Sequence, residues 1–141
     1  MMSKIFLDTS FVVALSVEDD EYHIAAKLWA EYISENRCLL VTHQGILLEI
    51  GDALSKPQWR KTAEGMLTFL QKDRTVEIVS ITQELIDTAF QLFVSRHDKS
   101  WGMTDCMSFI VMQQMNLKKA LTADKHFIQG GFRALMRETP P

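Results

Sequence analysis

The first apolar block of the chain, Ile5, Phe6 and Leu7, has no polar alternation and stops at Asp8, followed by the small hydroxyl residues Thr9 and Ser10. A short unalternated run of this kind predicts a strand buried on both faces, the signature of a parallel sheet. Residues 11–15 continue apolar and give way to four consecutive acids, Glu18, Asp19, Asp20 and Glu21, a composition suited to a helix N-terminus. Ile24, Leu28, Trp29, Tyr32 and Ile33 then recur at helical spacing and predict a helix over 22–36.

A second short strand is predicted over 39–42 and a helix over 44–55, ended near Pro57. At about 100° per residue, Ile46, Leu47, Ile50, Ala53 and Leu54 share one face of that helix. Glu49 falls at the edge of this face, while Asp52 and Leu48 point away, Leu48 as a candidate partner contact. An amphipathic helix over 60–72 and a β-branched strand over 76–81 follow, and Thr82 is a suitable N-cap for a helix running to about residue 97. A loop over 98–103 leads to Thr104, the expected N-cap of a helix over 105–115 whose nearly continuous apolar surface predicts burial. The strand expected over 119–122 stops close to Asp124 much as the first stops at Asp8. Residues 125–131 read as a loop or short helix and 132–137 as a final edge strand. Strands alternating with helices predict βαβ units and an α/β fold with a mainly parallel sheet, whose right-handed crossovers gather the strand ends on one edge.

The 141 residues fit one domain, long enough to bury roughly two-thirds of the surface that the unfolded chain exposes. No repeat, low-complexity tract or linker interrupts them. With 47% hydrophobic and 23% charged residues the composition is that of a globular protein, and no apolar run approaches the ~20 residues of a membrane span. The N-terminus lacks the basic and small-residue flanks of a signal peptide, so a cytosolic protein is expected. Cys38 and Cys106 lie far apart and read as buried thiols. A net charge of −3 argues against binding nucleic acid through a broad basic surface. It leaves open a local site in which divalent cations among acids reverse the charge and attract phosphate.

Four carboxylates fall at comparable places: Asp8 and Asp124 after strands, Asp105 in the first turn of a buried helix, Glu49 at the edge of an inward face. Asp105 also reads as a helix-dipole contact and Glu49 as a solvated acid beside the core. Asp8 and Asp124 are harder to explain structurally, because a buried strand has no use for an unpaired carboxylate at its end. Clustered carboxylates without basic partners repel one another unless cations lie between them. An all-oxygen ligand set favours Mg²⁺ or Mn²⁺ over zinc. Such ions near a phosphodiester lower the pKa of a water and stabilise the leaving oxygen, the chemistry of phosphodiester hydrolysis.

Leu-Asp-Thr-Ser at 7–10, Leu-Leu-Glu-Ile-Gly-Asp-Ala-Leu at 47–54, Met-Thr-Asp-Cys at 103–106 and Leu-Thr-Ala-Asp-Lys-His-Phe at 121–127 together resemble a PIN domain over nearly the whole chain. The resemblance is to the small single-domain members typified by VapC toxins. It implies a Rossmann-like three-layer α/β/α sandwich and a Mg²⁺- or Mn²⁺-dependent ribonuclease. It also implies an acidic quartet of Asp8, Glu49, Asp105 and Asp124, catalytic and metal-holding, with Thr9, Ser10 and Thr104 as the small polar positions that help orient water at the metal. The same resemblance implies a toxin of a type II toxin–antitoxin pair, homodimeric and neutralised by a small antitoxin.

Lys125, directly after the fourth acid, is a candidate for binding phosphate or partly neutralising Asp124. His126 and His43 read first as surface or capping histidines and second as substrate contacts. Trp101 reads first as a core or rim residue and second as a stacking platform for an unpaired base. Lys56, Arg60 and Lys61 read as a solvated face that otherwise steers RNA. A phosphate-receiver domain would need paired acids after the first strand, and an aspartyl phosphatase would need Asp-x-Asp where Asp8-Thr9-Ser10 stands. A dinucleotide-binding domain would need a glycine-rich turn where Thr9-Ser10-Phe11 stands. The nearer alternatives are a stand-alone RNA-processing nuclease of the same fold and a PIN-like module that binds RNA or protein without cleaving it.

Overall fold

The computed structural model describes residues 3–141. Its strands are β1 (Lys4–Leu7), β2 (Leu39–His43), β3 (Val76–Val79), β4 (Lys119–Leu121) and β5 (Arg133–Ala134). The helices are α1 (Thr9–Ser16), α2 (His23–Asn36), α3 (Gln44–Ala53), α4 (Arg60–Lys72), α5 (Gln83–Ser95), α6 (Met103–Gln114) and α7 (Lys125–Gln129), with 3₁₀ turns at Pro57–Trp59 and Leu135–Arg137. All strand pairs are parallel, in the order β3-β2-β1-β4-β5. The sheet is therefore wholly parallel and forms the middle layer of an α/β/α sandwich. α1 packs against α2 and α3, and α5 against α6.

β1 is the centre of the sheet, and Ile5, Phe6 and Leu7 are each buried, which explains their unbroken apolar run. From β1 the chain builds outward through β2 and β3 on one side, then returns to place β4 and β5 on the other. In open sheets of this kind ligands bind beyond the carboxyl ends of the strands where the order reverses, here β1 and β4. Asp8 and Asp124 lie just past those two ends.

The structure fills in, bears out or corrects the local expectations one by one. The apolar residues 11–15 form α1, which begins directly after Asp8 and buries Phe11, Val12 and Ala14. The acids at 18–21 precede α2, as expected, and the helix starts at His23. Asp20 Oδ1 accepts the Tyr22 N–H at 2.8 Å and α2 has no acid in its first turn. Thr104 is not the cap of α6: Gly102 is, and the Asp105 carboxylate reaches back to accept the Gly102 N–H at 3.1 Å. An acid at the third helical position satisfies the cap's backbone donor in this way, which moves the helix start two residues upstream. β3 stops at Val79, and α5 stops at Ser95 although Thr82 caps it as expected, accepting the Leu85 N–H at 3.1 Å. Of residues 132–137 only Arg133 and Ala134 pair with β4, at the expected sheet edge. The chain then tightens into a 3₁₀ turn that buries Leu135 and Met136. On α3, Ala53 is exposed rather than on the buried face, and Leu48 is outward as expected, 67% exposed. Both cysteines are buried free thiols.

Candidate active site

The register of the two central strands builds the floor of the site. Leu7 pairs with Leu121, and the Asp8 N–H continues the ladder to the Leu121 carbonyl at 3.3 Å. The next residues, Asp8 and Thr122, are thereby set side by side. The Thr122 hydroxyl donates to Asp8 Oδ2 at 2.7 Å and accepts the Asp124 N–H at 3.0 Å. Ser10 does the same from the other turn, donating to Asp8 Oδ2 at 3.0 Å and accepting the Ala123 N–H at 3.2 Å. Two hydroxyls thus clamp the β1–α1 turn to the β4–α7 turn through one carboxylate oxygen. Asp8 is only 7% exposed, and burial pushes its pKa up from 3.8 to about 6. The Thr122 and Ser10 hydrogen bonds pull the other way, and the charges of Glu49 and Asp105 add to the rise.

Glu49 enters from α3, where its Oε1 accepts from the Thr9 hydroxyl at 2.6 Å. Its pKa is also raised, first by burial, against the Thr9 bond and with the charges of Asp105, Asp124 and Asp52. Asp105 enters from the first turn of α6. Asp124 caps α7, its Oδ1 accepting the His126 N–H at 2.8 Å. The His126 ring lies against both: Nδ1 is 3.1 Å from Asp105 Oδ2 and 3.5 Å from Asp124 Oδ1. All four acids line one cleft of about 870 Å³, joined there by Asp20, Glu21 and Asp52.

The α3 and α6 acids are held in relation by a buried histidine. His43 caps α3, its Nδ1 accepting the Gly45 N–H at 3.1 Å, and its Nε2 is 2.9 Å from Ser108 Oγ. Ser108 donates onward to the Thr104 carbonyl at 3.0 Å, so Nε2 carries the hydrogen and the ring is neutral. Burial pushes the His43 pKa down to about 4. A Cβ on Gly45 would meet His43 Cε1 at 2.8 Å, which explains the glycine.

The donor set fits a hard divalent cation. Among the described residues no lysine or arginine pairs with Asp8, Glu49, Asp105 or Asp124. In each of the four, one oxygen is engaged by protein donors while the other accepts no hydrogen bond among the described residues. Seven acids around one cleft, without a lysine or arginine partner for the central four among the described residues, are a repulsive arrangement that a cation relieves. The tightest group of ligand atoms is not the quartet, however, but Asp105, Asp124 and His126, all within 4.8 Å of one another.

The remaining candidates are placed as follows. Lys125 is exposed and makes no ion pair with Asp124 among the described residues; His126, the next residue, occupies that position. His43 is a cap, fully buried and out of substrate reach. Trp101 is a core residue rather than a stacking platform. It is 6% exposed, edge-on to Phe109, covered by the Arg96 guanidinium and bonded through Nε1 to Gln129. The Thr104 side chain bonds to none of the acids among the described residues, and only its carbonyl is used. Lys56, Arg60 and Lys61 are exposed, as a solvated face is. Thr122, the buried partner of Asp8, was not singled out by the spacing of charged residues. Its signal lies in its place directly after a strand that pairs with β1.

The PIN domain family model matches residues 5–132. Two proteins of Mycobacterium tuberculosis, the 23S rRNA-specific endonuclease VapC20 of strain CDC 1551 / Oshkosh and that of strain ATCC 25618 / H37Rv, are each 27% identical over 129 residues, covering 91% of this chain and 95% of theirs. The crystal structure of Mycobacterium tuberculosis VapC20, described as a sarcin-ricin loop cleaving toxin, superposes with a TM-score of 0.83 at 26% identity, covering 96% of this chain and 99% of that one. Sequence, architecture and the acids gathered beyond β1 and β4 agree, and the chain belongs to the PIN domain family.

Proposed function

We propose that the protein is a divalent-metal-dependent endoribonuclease, a single PIN domain acting in the cytoplasm as the toxin of a type II toxin–antitoxin pair. The observation that carries this reading is the cleft in which Asp8, Glu49, Asp105 and Asp124 meet, among the described residues without a lysine or arginine partner and each with one oxygen free of protein hydrogen bonds. Asp8, Glu49, Asp105 and Asp124 would hold Mg²⁺ or Mn²⁺. When bound, such an ion lowers the pKa of water and offsets charge on a phosphodiester. The chain's own part is positioning. Ser10 and Thr122 fix the plane of the Asp8 carboxylate, Thr9 fixes Glu49, the Gly102 N–H fixes Asp105 and the His126 N–H fixes Asp124. Holding four carboxylates by one oxygen each leaves the others preorganised toward the cleft. The VapC20 relatives support RNA as the substrate and a toxin role. A homodimer and a small antitoxin complete the proposal, with the outward Leu48 and its α3 neighbours as a contact surface.

The test is cleavage of structured and unstructured RNA by wild-type protein and Asp8→Asn, with Mg²⁺, Mn²⁺ or chelator. Cleavage is expected only for wild type with metal; cleavage surviving in chelator or in the variant sinks the mechanism. A small open reading frame directly upstream that encodes a DNA-binding antitoxin supports the toxin role, and its absence favours a stand-alone RNA-processing nuclease.

A further inference from the structure

We propose that His126 is a direct ligand of the catalytic ion, which makes the site a mixed nitrogen and oxygen site selective for Mn²⁺ and related transition ions over Mg²⁺. The inference rests on the metal-dependent reading above and changes its ligand set. One atom each of Asp105, Asp124 and His126 lie within 4.8 Å of one another, and His126 Nδ1 stands 3.1 Å from Asp105 Oδ2 and 3.5 Å from Asp124 Oδ1. Adjacent ligands about 2.1 Å from an octahedral ion are themselves roughly 3 Å apart, and opposed ligands roughly 4.2 Å apart. The two separations from His126 are those of adjacent ligands in one coordination shell, and the third pair lies within 4.8 Å. They are also held there independently of an ion. Asp124 and His126 belong to the same turn of α7, pinned by the His126 N–H bond to Asp124 and by Phe127, which is fully buried in the core. Asp105 is fixed from α6 by the Gly102 N–H.

Without an ion the ring has one hydrogen bond among the described residues, Nδ1–H donating to Asp105 Oδ2 at 3.1 Å, and an ion bound between the two replaces it. The ring is partly exposed at 22% and Nε2 makes no hydrogen bond among the described residues, so on ion binding the hydrogen can sit on Nε2 while Nδ1 turns its lone pair to the ion. Imidazole nitrogen suits transition ions, with affinity rising from Mn²⁺ through Co²⁺, whereas Mg²⁺ keeps to oxygen and gives up its waters reluctantly. A nitrogen ligand beside two carboxylates consequently discriminates between ions that an all-oxygen quartet would treat alike.

The experiment uses the whole chain, stripped with chelator, as wild type, His126→Gln, His126→Ala and Asp8→Asn. Binding of Mg²⁺, Mn²⁺ and Co²⁺ is measured by titration calorimetry, and the Mn²⁺ complexes are examined by pulsed electron paramagnetic resonance for coupling to ¹⁴N. The expected result is a histidine nitrogen coupling in wild type that both His126 variants lose. Mn²⁺ and Co²⁺ affinity should fall about tenfold or more in those variants, with Mg²⁺ affinity changed by less than about twofold. Mn²⁺ binding without nitrogen coupling, or an equal change for Mg²⁺ and Mn²⁺, overturns the ligand role while leaving the nuclease reading intact. Failure of all three ions to bind wild type overturns both.

Discussion

Replacing Asp8 by Asn is expected to make the metal-free protein more stable, because the fold buries this carboxylate without a cation. Its pKa rises from 3.8 to about 6 on folding, so the folded state holds the proton more tightly than the unfolded one. The stability that Asp8 contributes is therefore full below pH 3.8 and is lost as pH rises through 6. At about 1.4 kcal/mol per pH unit, that difference amounts to about 3 kcal/mol lost by pH 7.5. Asn has no charge to desolvate and keeps an oxygen to accept from Ser10 and Thr122. His43 acts in the opposite sense. Its pKa falls to about 4 from 6.5, so its contribution is full above pH 6.5 and lost as pH drops through 4. The two dependences overlap and largely cancel, which flattens the wild-type profile and leaves the comparison with the variant as the informative quantity. Urea unfolding in chelator, followed by tryptophan fluorescence from pH 4 to 7.5, should find Asp8→Asn about 3 kcal/mol more stable at the upper limit and less than about 1 kcal/mol more stable at the lower. The melting temperature at pH 7.5 should rise by about 6–12 °C. Millimolar Mn²⁺ should stabilise wild type and not the variant, as mass action requires of an ion held only by the native site. Equal or lower stability of Asp8→Asn at pH 7.5, or a gap independent of pH, would refute the burial argument.

Thr122→Val keeps the shape but removes the donor to Asp8 and the acceptor for the Asp124 N–H, and should destabilise by about 1–3 kcal/mol in urea unfolding. Combined with Asp8→Asn, its effect should be non-additive by about 0.5 kcal/mol or more in a double-mutant cycle. Gly45→Ala drives a methyl into the His43 ring and should lower stability by about 1–3 kcal/mol with an unchanged denaturant slope. Glu49→Gln removes a carboxylate whose pKa is raised by burial, so RNA cleavage should fall by about a hundredfold or more while metal-free stability at neutral pH rises; a loss of both would point to a structural role.

Residue order alone determined the strand that ends at Asp8, the buried helix carrying Asp105 and the parallel alternation, because local periodicity and abrupt polar stops report burial directly. The four acids were legible from their positions after strands and at helix edges, and their motifs carried the family. The path of residues 11–15 was not legible, since a short apolar run reads alike in a strand and a buried helix. The cap at Gly102 was missed because a backbone donor satisfied by Asp105 leaves no mark at the capping position itself. What tertiary structure decided is the pairing of parts distant in the chain. Thr122 meets Asp8 across 114 residues only because β4 pairs in register with β1, and His126 meets Asp105 only because α7 and α6 pack together. Burial likewise belongs to the assembled sheet and not to the residue. An aspartate beside two hydroxyls is an ordinary acid in the sequence, and it becomes a carboxylate in want of a cation only once the two strand ends close around it.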